Sequence, residues 1–419
     1  MKNKLFPIAI CAIASLSLVL HSCLKDTGFK KYSMYSPIYK TAGEVRANIK
    51  SNLNVPVINP GKMYIIGDYI FLNEKYKGVH IIDNSDPSNP VNKAFINIPG
   101  NEDIAVSGNT LYADCYTDLM VIDVTNPIQV SLKKHITNIF PDRRSVLGFP
   151  VDSSRFIVDW LVRDTTIKVD VPQESFLRGN ILFVDDMGGI NFSSASIANA
   201  GKAQGGSMAR FTIQNNFLYT VTNSLLNVVD ISQPQLPSLT NTINVGWGIE
   251  TIYPFKDKLF LGSTTGMHIF SVANAAVPTR LGMFGHATVC DPVIADDKYA
   301  YVTLRNGTRC SGITNQLDIV DVQNPVASKL VKSYLLTNPR GLSKDGNWLF
   351  ICDGAAGLKC FDATDANNLQ LKKTIAIAET FDVICNNKTL VISAKDGLYQ
   401  FSYSNINDIK FLSKIGIQK

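Results

Sequence analysis

The sequence lacks the short motifs that mark familiar catalytic and metal sites. Its 419 residues contain no Cys-x-x-Cys pair, no Gly-x-Ser-x-Gly elbow, no P-loop and no His-Glu-x-x-His. Zinc-ribbon, thioredoxin-like, serine-hydrolase, P-loop and zinc-protease classes therefore gain no support. The formal net charge is only +5 and there is no run of basic residues, so we expect no nucleic-acid partner. We also expect no cofactor and no metal.

The chain has one long apolar run, and it is too short to span a bilayer. Leu5 to Leu20 is a stretch of 16 residues that follows Lys2 and Lys4, which is typical of a signal-peptide core. Leu20-His21-Ser22-Cys23 resembles a lipobox, and this resemblance implies cleavage before Cys23 and lipidation of that residue. The alternative is an ordinary signal peptide. We expect a lipid-anchored protein of the cell envelope, at the outer membrane, on a side that the sequence leaves open.

A short motif recurs along the rest of the chain. It begins with Gly78-Val79-His80-Ile81-Ile82-Asp83 and returns as Leu119 to Asp123 and as Leu317 to Asp321. Its last residue falls at Asp83, Asp123, Asp230, Ser271, Asp321, Asp362 and Ser402, with successive differences of 40, 107, 41, 50, 41 and 40. A period near 40 residues indicates a repeat architecture, and the long gap fits two units plus an insertion.

Each repeat predicts four short strands separated by polar turns, which is typical of a propeller blade. We therefore predict an all-β fold, a β-propeller of four-stranded antiparallel blades. The count is eight if Arg155–Val162 and Asn180–Asp185 belong to a degraded third blade, and seven if residues 140–205 are an insertion. We expect a signal peptide over residues 1–22, a tether with a short strand and helix over 23–58, and the propeller over 59–419.

The repeated segments resemble the LVIVD repeat, a propeller-forming repeat of bacterial and archaeal surface proteins. Val121-Ile122-Asp123-Val124, Ile319-Val320-Asp321-Val322 and Leu111-Tyr112-Ala113-Asp114 carry the resemblance. It implies a propeller over roughly residues 60 to 405. It implies no particular activity, because the family has no general one.

Other polar residues have structural explanations. The aspartates that end the third strands are followed by Ser, Thr, Asn or Pro, so we interpret them as turn formers. His80 and His268 occupy equivalent positions in different blades, so we expect packing roles rather than a shared metal site. Six cysteines follow Cys23, and both disulfides and buried thiols remain open for them: Cys115, Cys290, Cys310, Cys352, Cys360 and Cys385.

The candidate site is the mouth of the central channel, where the innermost strands begin. By alignment these positions are Lys62, Asp103, Arg210, Thr251, Asp291, Arg340 and Asp382. Six of the seven are charged, and charges around a concave mouth can orient a polar ligand. The alternative is that they pair with their neighbours in a solvated ring.

Two functions follow from this site. The first is a non-catalytic binding or scaffold platform for a protein or glycan at the envelope, present as a monomer. The second is a hydrolase or lyase acting on an envelope polysaccharide in the charged mouth, near the insertion at Leu304–Gln316. A pair of carboxylates with raised pKa would favour the enzyme, and a broad, partly aromatic rim would favour the platform. A structural spacer fits if the chain itself fills the mouth.

Overall fold

The structure, a computed structural model, describes residues 28–169, 175–178, 181–185, 203–285, 292–306 and 314–418. The chain forms two compact units. The smaller comprises Met1–Ile38 and Asp159–Phe192, and the larger comprises Tyr39–Val158 and Ser193–Lys419. The signal peptide, Cys23, Cys290, Asp291 and Cys310 lie outside the described residues.

The larger unit is built from sheets in which four successive strands pair antiparallel, and its described residues form seven of them. We number these sheets as blades 1 to 7. Blade 1 comprises Pro60–Ile66, Tyr69–Glu74, Gly78–Asp83 and Val91–Asn97, and blade 2 comprises Ile104–Ser107, Thr110–Cys115, Asp118–Asp123 and Ser131–Ile136. Blade 3 comprises Phe211–Gln214, Phe217–Val221, Leu225–Asp230 and Ser238–Asn244, blade 4 comprises Ile249–Phe255, Lys258–Ser263, Gly266–Ser271 and Thr279–Gly285, and blade 5 comprises Val293–Ala295, Tyr299–Leu304, Gln316–Asp321 and Lys329–Leu335. Blade 6 comprises Leu342–Asp345, Trp348–Cys352, Leu358–Asp362 and Gln370–Ile375, and blade 7 comprises Thr380–Asn386, Thr389–Ala394, Gly397–Ser402 and Lys410–Gly416.

The blades close into a ring, which confirms the propeller. The first strand of each blade contacts the first strand of the next, and the first strand of blade 7 contacts that of blade 1. Val, Ile and Leu side chains from the second and third strands fill the space between blades, so Thr110–Cys115 is buried throughout. The fourth strand is the outer one, and Ser238–Asn244 is largely exposed. Burial between blades thus replaces a single central core.

The ring closes without a strand from the N-terminal part of the chain. The four strands of blade 7 all come from the C-terminal part. The Asn84 and Gln400 side-chain amides exchange two hydrogen bonds between blades 1 and 7, of 3.0 and 2.6 Å. The Ser413 hydroxyl donates to the carbonyl of Pro87 at 2.6 Å. Side-chain bonds and interblade packing thus join the last blade to the first.

The smaller unit corrects the eight-blade count. Its sheet has the order Arg155–Val169, Gly28–Thr41, Ile181–Asp185 and Ser175–Arg178, so an N-terminal strand lies between the two segments assigned to a third blade. Residues 32–35 pair with residues 182–185. A propeller blade pairs strands in chain order, and this sheet does not. The ring in the described residues therefore has the alternative count of seven.

A few short elements complete the larger unit. The helix Ala42–Ala47 begins with the predicted capping box, in which Thr41 and Glu44 bond each other's backbone amides. Blade 1 has two additional strands. Ser51–Asn52 pairs with its fourth strand at the outer edge, and Ala203–Gly205 pairs with its first strand at the inner edge. The remaining elements are the hairpin Ser145–Val146 with Phe149–Pro150 and the 3₁₀ turns Pro141–Arg143 and Pro325–Ala327. Within the described residues no helix is long and apolar enough to cross a membrane.

Candidate functional site

The strand register fixes which residues lie where the innermost strands begin. We call this side of the ring the mouth face, and the opposite side, with the turns between first and second strands, the turn face. The position four residues before the end of the first strand is Lys62 in blade 1, Asp103 in blade 2 and Arg210 in blade 3. In blades 4, 6 and 7 the same position holds Thr251, Gly341 and Asp382. In blade 5 it holds Pro292, because the bond from the Asp296 amide to the Tyr299 carbonyl continues the strand pairing by one residue.

One of the predicted mouth residues is misplaced by one residue. Arg340 precedes the equivalent position in blade 6, which is Gly341. The error arose because a charged residue adjoins the true position in this blade. Asp291 lies outside the described residues, so its place stays a prediction.

The centre of the ring is closed by the chain itself. Ala203–Gly205 pairs antiparallel with residues 64–66 on the inner edge of blade 1. The segment then crosses the ring, since the amide of Leu342 in blade 6 donates to the Ser207 hydroxyl at 2.7 Å and that of Ile252 in blade 4 donates to the Ala209 carbonyl at 2.6 Å. We call residues 203–209 the floor segment. Its residues 205–209 are buried directly beneath the mouth.

The floor segment packs against a buried carboxyl group. Asp382 is 0% exposed, and a Cβ atom on either Gly206 or Gly341 would overlap one of its oxygens. Neither oxygen accepts a hydrogen bond of ordinary geometry. Burial raises the pKa of Asp382 well above its usual value, although the nearby Val383 amide, the Lys62 ammonium and the Ser207 amide all oppose the shift. Burial therefore favours the neutral form of this carboxyl, which is hidden from solvent.

Lys62 and Asp103 form an ion pair that is buried in the same region. Their side chains are only 6% and 1% exposed. Asp103 also accepts a hydrogen bond from the backbone amide of Arg210 at 3.2 Å. Burial lowers the pKa of Lys62, against the attraction of Asp103. Three predicted mouth residues, Lys62, Asp103 and Asp382, thus lie inside the protein and organise the floor rather than facing a ligand.

Arg210 and Arg340 each pair with a carboxylate from a loop that enters a first strand. Arg210 lies 3.9 Å from Glu102, and Arg340 bonds Glu379. Burial alone would raise the pKa of Glu102, but the surrounding cations, first among them Arg143, hold it at about 2. Arg340 and Lys395 likewise hold the pKa of Glu379 below its usual value despite partial burial. These carboxylates remain ionised and are poor proton donors.

Two buried carboxylates that were not predicted as site residues shape the mouth loops. Asp114 accepts hydrogen bonds from the amides of Glu102 and Asp103, at 2.7 and 3.0 Å, and bonds Arg143. Asp353 does the same in blade 6, where the amides of Thr337 and Asn338 donate to it. Each carboxylate ties the end of a second strand to the loop entering the first strand. Their recurrence at the ends of second strands was the available signal.

An exposed indole on the mouth face was also not predicted from the sequence. Trp247 lies in the loop from the fourth strand of blade 3 to the first strand of blade 4, and its side chain is 74% exposed. Gly246 and Gly248 on either side have φ values of +111° and +74°, which favour glycine. The Gly-Trp-Gly sequence was the signal for this loop. A large aromatic side chain presented on a formed loop is typical of recognition surfaces.

Two apolar clefts open between neighbouring blades on the turn face. One, of about 460 Å³, lies between the Ser107–Thr110 turn of blade 2 and residues 233–236 of blade 3. The other, of about 410 Å³, lies between the Ile66–Tyr69 turn of blade 1 and residues 124–127 of blade 2.

Comparison with known families identifies the repeat. The model described as the LVIVD repeat matches residues 62–97, 101–137, 205–245 and 290–336. The chain carries LVIVD repeats. The four matched segments fall on blades 1, 2, 3 and 5, and blades 4, 6 and 7 have the same strand order. No curated protein matches the chain.

Solved structures share the fold at low identity. A functionally unknown protein from Desulfotomaculum acetoxidans has a TM-score of 0.53 and 14% identity, over 84% of this chain and 96% of the other. The computationally designed Ika8 protein has a TM-score of 0.52 and 8% identity, over 88% of this chain and 90% of the other. The periplasmic gluconolactonase PpgL of Pseudomonas aeruginosa has a TM-score of 0.51 and 10% identity, over 85% of this chain and 96% of the other. At these identities the likeness concerns the fold alone.

The LVIVD-repeat aspartates are turn formers, as predicted. Asp123 accepts hydrogen bonds from the amide and hydroxyl of Thr125 at 2.9 and 2.6 Å, and these bonds hold its pKa at about 2. The histidines bond within their own blades. His80 lies 3.0 Å from Glu74, and His268 lies 3.3 Å from Ser263.

The described cysteines are free thiols. Cys115, Cys352, Cys360 and Cys385 are buried and unbridged. Burial raises the pKa of Cys360 and of Cys385 to about 12. They therefore act as small apolar side chains, and the disulfide alternative fails for the hairpin that holds Cys352 and Cys360.

Proposed function

We propose that this protein is an envelope lipoprotein whose propeller serves as a non-catalytic binding platform for a protein or glycan. The anchor is Cys23, the residue that directly follows the signal peptide over residues 1–22. The lipobox-like sequence Leu20 to Cys23 supports this anchor, and the outer membrane is the proposed location. Partner recognition takes place on the mouth face.

The observation that carries the platform is the closed floor. The floor segment crosses the ring and bonds to blades 1, 4 and 6, and this crossing favours a shallow mouth over an open channel. Ion pairs such as Arg210 with Glu102 and Arg340 with Glu379 border it, and Trp247 projects from the same face. A shallow surface with an exposed aromatic side chain and paired charges suits a macromolecular partner.

The carboxylates of the mouth do not favour the hydrolase or lyase. A general acid needs a raised pKa and access to the substrate. Glu102 and Glu379 have lowered pKa values, and Asp382, whose pKa is raised, is buried beneath the floor segment. In these three carboxylates a raised pKa and access to the substrate do not occur in the same group.

Crosslinking in intact envelopes, followed by capture of the tagged protein, tests the platform. We expect Trp247→Ala to reduce partner capture at least roughly tenfold, since an aromatic side chain at the centre of an interface typically contributes 2 kcal/mol or more. The matched control is Leu371→Ala, which removes an exposed apolar side chain from the outer strand of blade 6. Both variants should keep the parental melting temperature. Capture that is equal in all three proteins would remove the mouth face as the binding site.

A further inference from the structure

The turn face carries an arc of exposed apolar side chains. After its third strand every blade makes a four-residue turn, which begins at Asp86 in blade 1 and at Asn126 in blade 2. We call the third and fourth residues of this turn its tip. In blades 2, 3, 4 and 5 the tips hold Ile128, Leu236, Val277 and Val326, whose side chains are between 49% and 76% exposed. These four blades are consecutive in the ring. We call these four residues the apolar arc.

The other three blades have polar tips. The equivalent positions are Asn367 and Asn368 in blade 6, Asn407 and Asp408 in blade 7, and Ser88 and Asn89 in blade 1. The turn itself is the same in both groups. The amide of Val326 donates to the Asn324 side chain at 3.2 Å, as the amide of Asn407 does to the Asn405 side chain at 3.1 Å. Turn formation therefore does not require apolar tips, and the arc needs another explanation.

The side chains of the arc are set apart from one another. Each projects singly from its turn, and neighbouring ones are separated by the width of a blade. Lys133 forms an ion pair with Asp123 at 3.1 Å in blade 2. Lys134 lies beside Leu236 and keeps its charge, since its ammonium donates to the Pro237 carbonyl at 2.7 Å. Spaced apolar tips suit a soft medium that closes around each side chain.

We propose that the apolar arc dips into the interfacial region of a lipid bilayer. This inference rests on the proposed anchor at Cys23 for its proximity. Tyr39, the first residue of the propeller unit, lies 16 residues beyond Cys23, so an extended chain holds it within about 55 Å of the bilayer. Four side chains that would each bind weakly from solution then act at high effective concentration. Burial of apolar side chains drives the contact between the arc and the bilayer, so we expect this contact not to depend on lipid charge.

Fluorescence quenching by bromine-labelled phosphatidylcholine in vesicles tests this contact on the full chain. Val326→Trp and Leu236→Trp each place an indole on the arc, and Leu371→Trp places one at a similarly exposed position on an outer strand. Because interfacial residues enter the bilayer by roughly 5–10 Å, shallow bromines should quench the arc indoles at least about twofold more than the control. Adding phosphatidylglycerol to the vesicles should leave the difference unchanged.

Equal quenching at positions 326, 236 and 371 would overturn the proposal and leave the arc to a protein partner. A dependence of the difference on phosphatidylglycerol would also overturn it, because charge would then drive the contact. The mass of the N-terminal peptide of the same preparation shows whether Cys23 carries acyl chains. An acylated protein without arc quenching refutes this inference alone, and a protein that shows arc quenching without acyl chains refutes the proposed anchor alone.

Discussion

The carboxyl group of Asp382 lies where a side chain on Gly206 would have to be. The two residues are 176 positions apart in the chain, and their contact joins the innermost strand of blade 7 to the floor segment. Gly341 flanks the same carboxyl from blade 6. The contact between the floor segment and blades 6 and 7 therefore depends on two glycines and one buried carboxyl group.

Gly206→Ala should destabilise the propeller. The added methyl group would overlap Asp382, and overpacking of this kind typically costs about 1–3 kcal/mol. Urea unfolding gives the free energy, and Asp382→Ala in the same chain should reduce the cost because it removes the overlapping atoms. Gly43→Ala is the control, since it adds a methyl in open space on a helix and should be neutral or stabilising. Equal effects of the two glycine substitutions would contradict the contact.

Asp382→Asn should change how stability depends on pH. The folded-state pKa of Asp382 is raised, whereas the carboxyl of the unfolded chain ionises from about pH 4. The contribution of this residue to the free energy of unfolding of the wild type is therefore lost as the pH rises above about 4. Asparagine has nearly the same shape and does not ionise. The free energy of unfolding of the variant, relative to the wild type, should therefore increase with pH by up to about 1.4 kcal/mol per unit. Parallel curves between pH 4 and 8 would show that the carboxyl is not kept neutral.

Lys62→Met and Asp103→Asn should each be strongly destabilising. Either change leaves one buried charge without its partner, which costs about 3–5 kcal/mol in comparable sites. The double variant Lys62→Met with Asp103→Asn should recover most of that loss, because no charge remains buried. Chemical denaturation of the wild type, the two single variants and the double variant yields the coupling free energy. A coupling free energy near zero would mean that the pair is solvated and faces the mouth after all.

Cys23→Ser should abolish acylation. Thioether lipidation requires the thiol, so radiolabelled fatty acid should enter the wild type and not the variant, while both chains are produced. Several acyl chains on one residue anchor a protein stably, so the variant should also be released from membranes by a carbonate wash. Incorporation of label by the Ser variant would end the lipoprotein proposal. Ser22→Thr serves as a control that alters the neighbouring residue and keeps the thiol.

Local sequence determined the blades, because everything that defines a blade lies within about 40 residues. The alternation of apolar residues sets the strands, and turn formers such as Asp123 and Asp321 end them through bonds to residues two positions ahead. The capping box at Thr41 and Glu44 is equally local. These features follow from chain geometry and short-range hydrogen bonds, which a single sequence displays directly.

Only the tertiary structure decided what fills the ring and which charges face solvent. Lys62 and Asp382 look like surface residues at strand starts, and they become interior groups because residues 203–209 return from a distant part of the chain to cover them. Residues 155–169 look like part of a blade, and they join another sheet because the N-terminal strand pairs beside them. Burial is a sum over all neighbours in space, so a change in one remote segment converts an exposed charge into a buried one. Sequence periodicity contains no record of such long-range contacts.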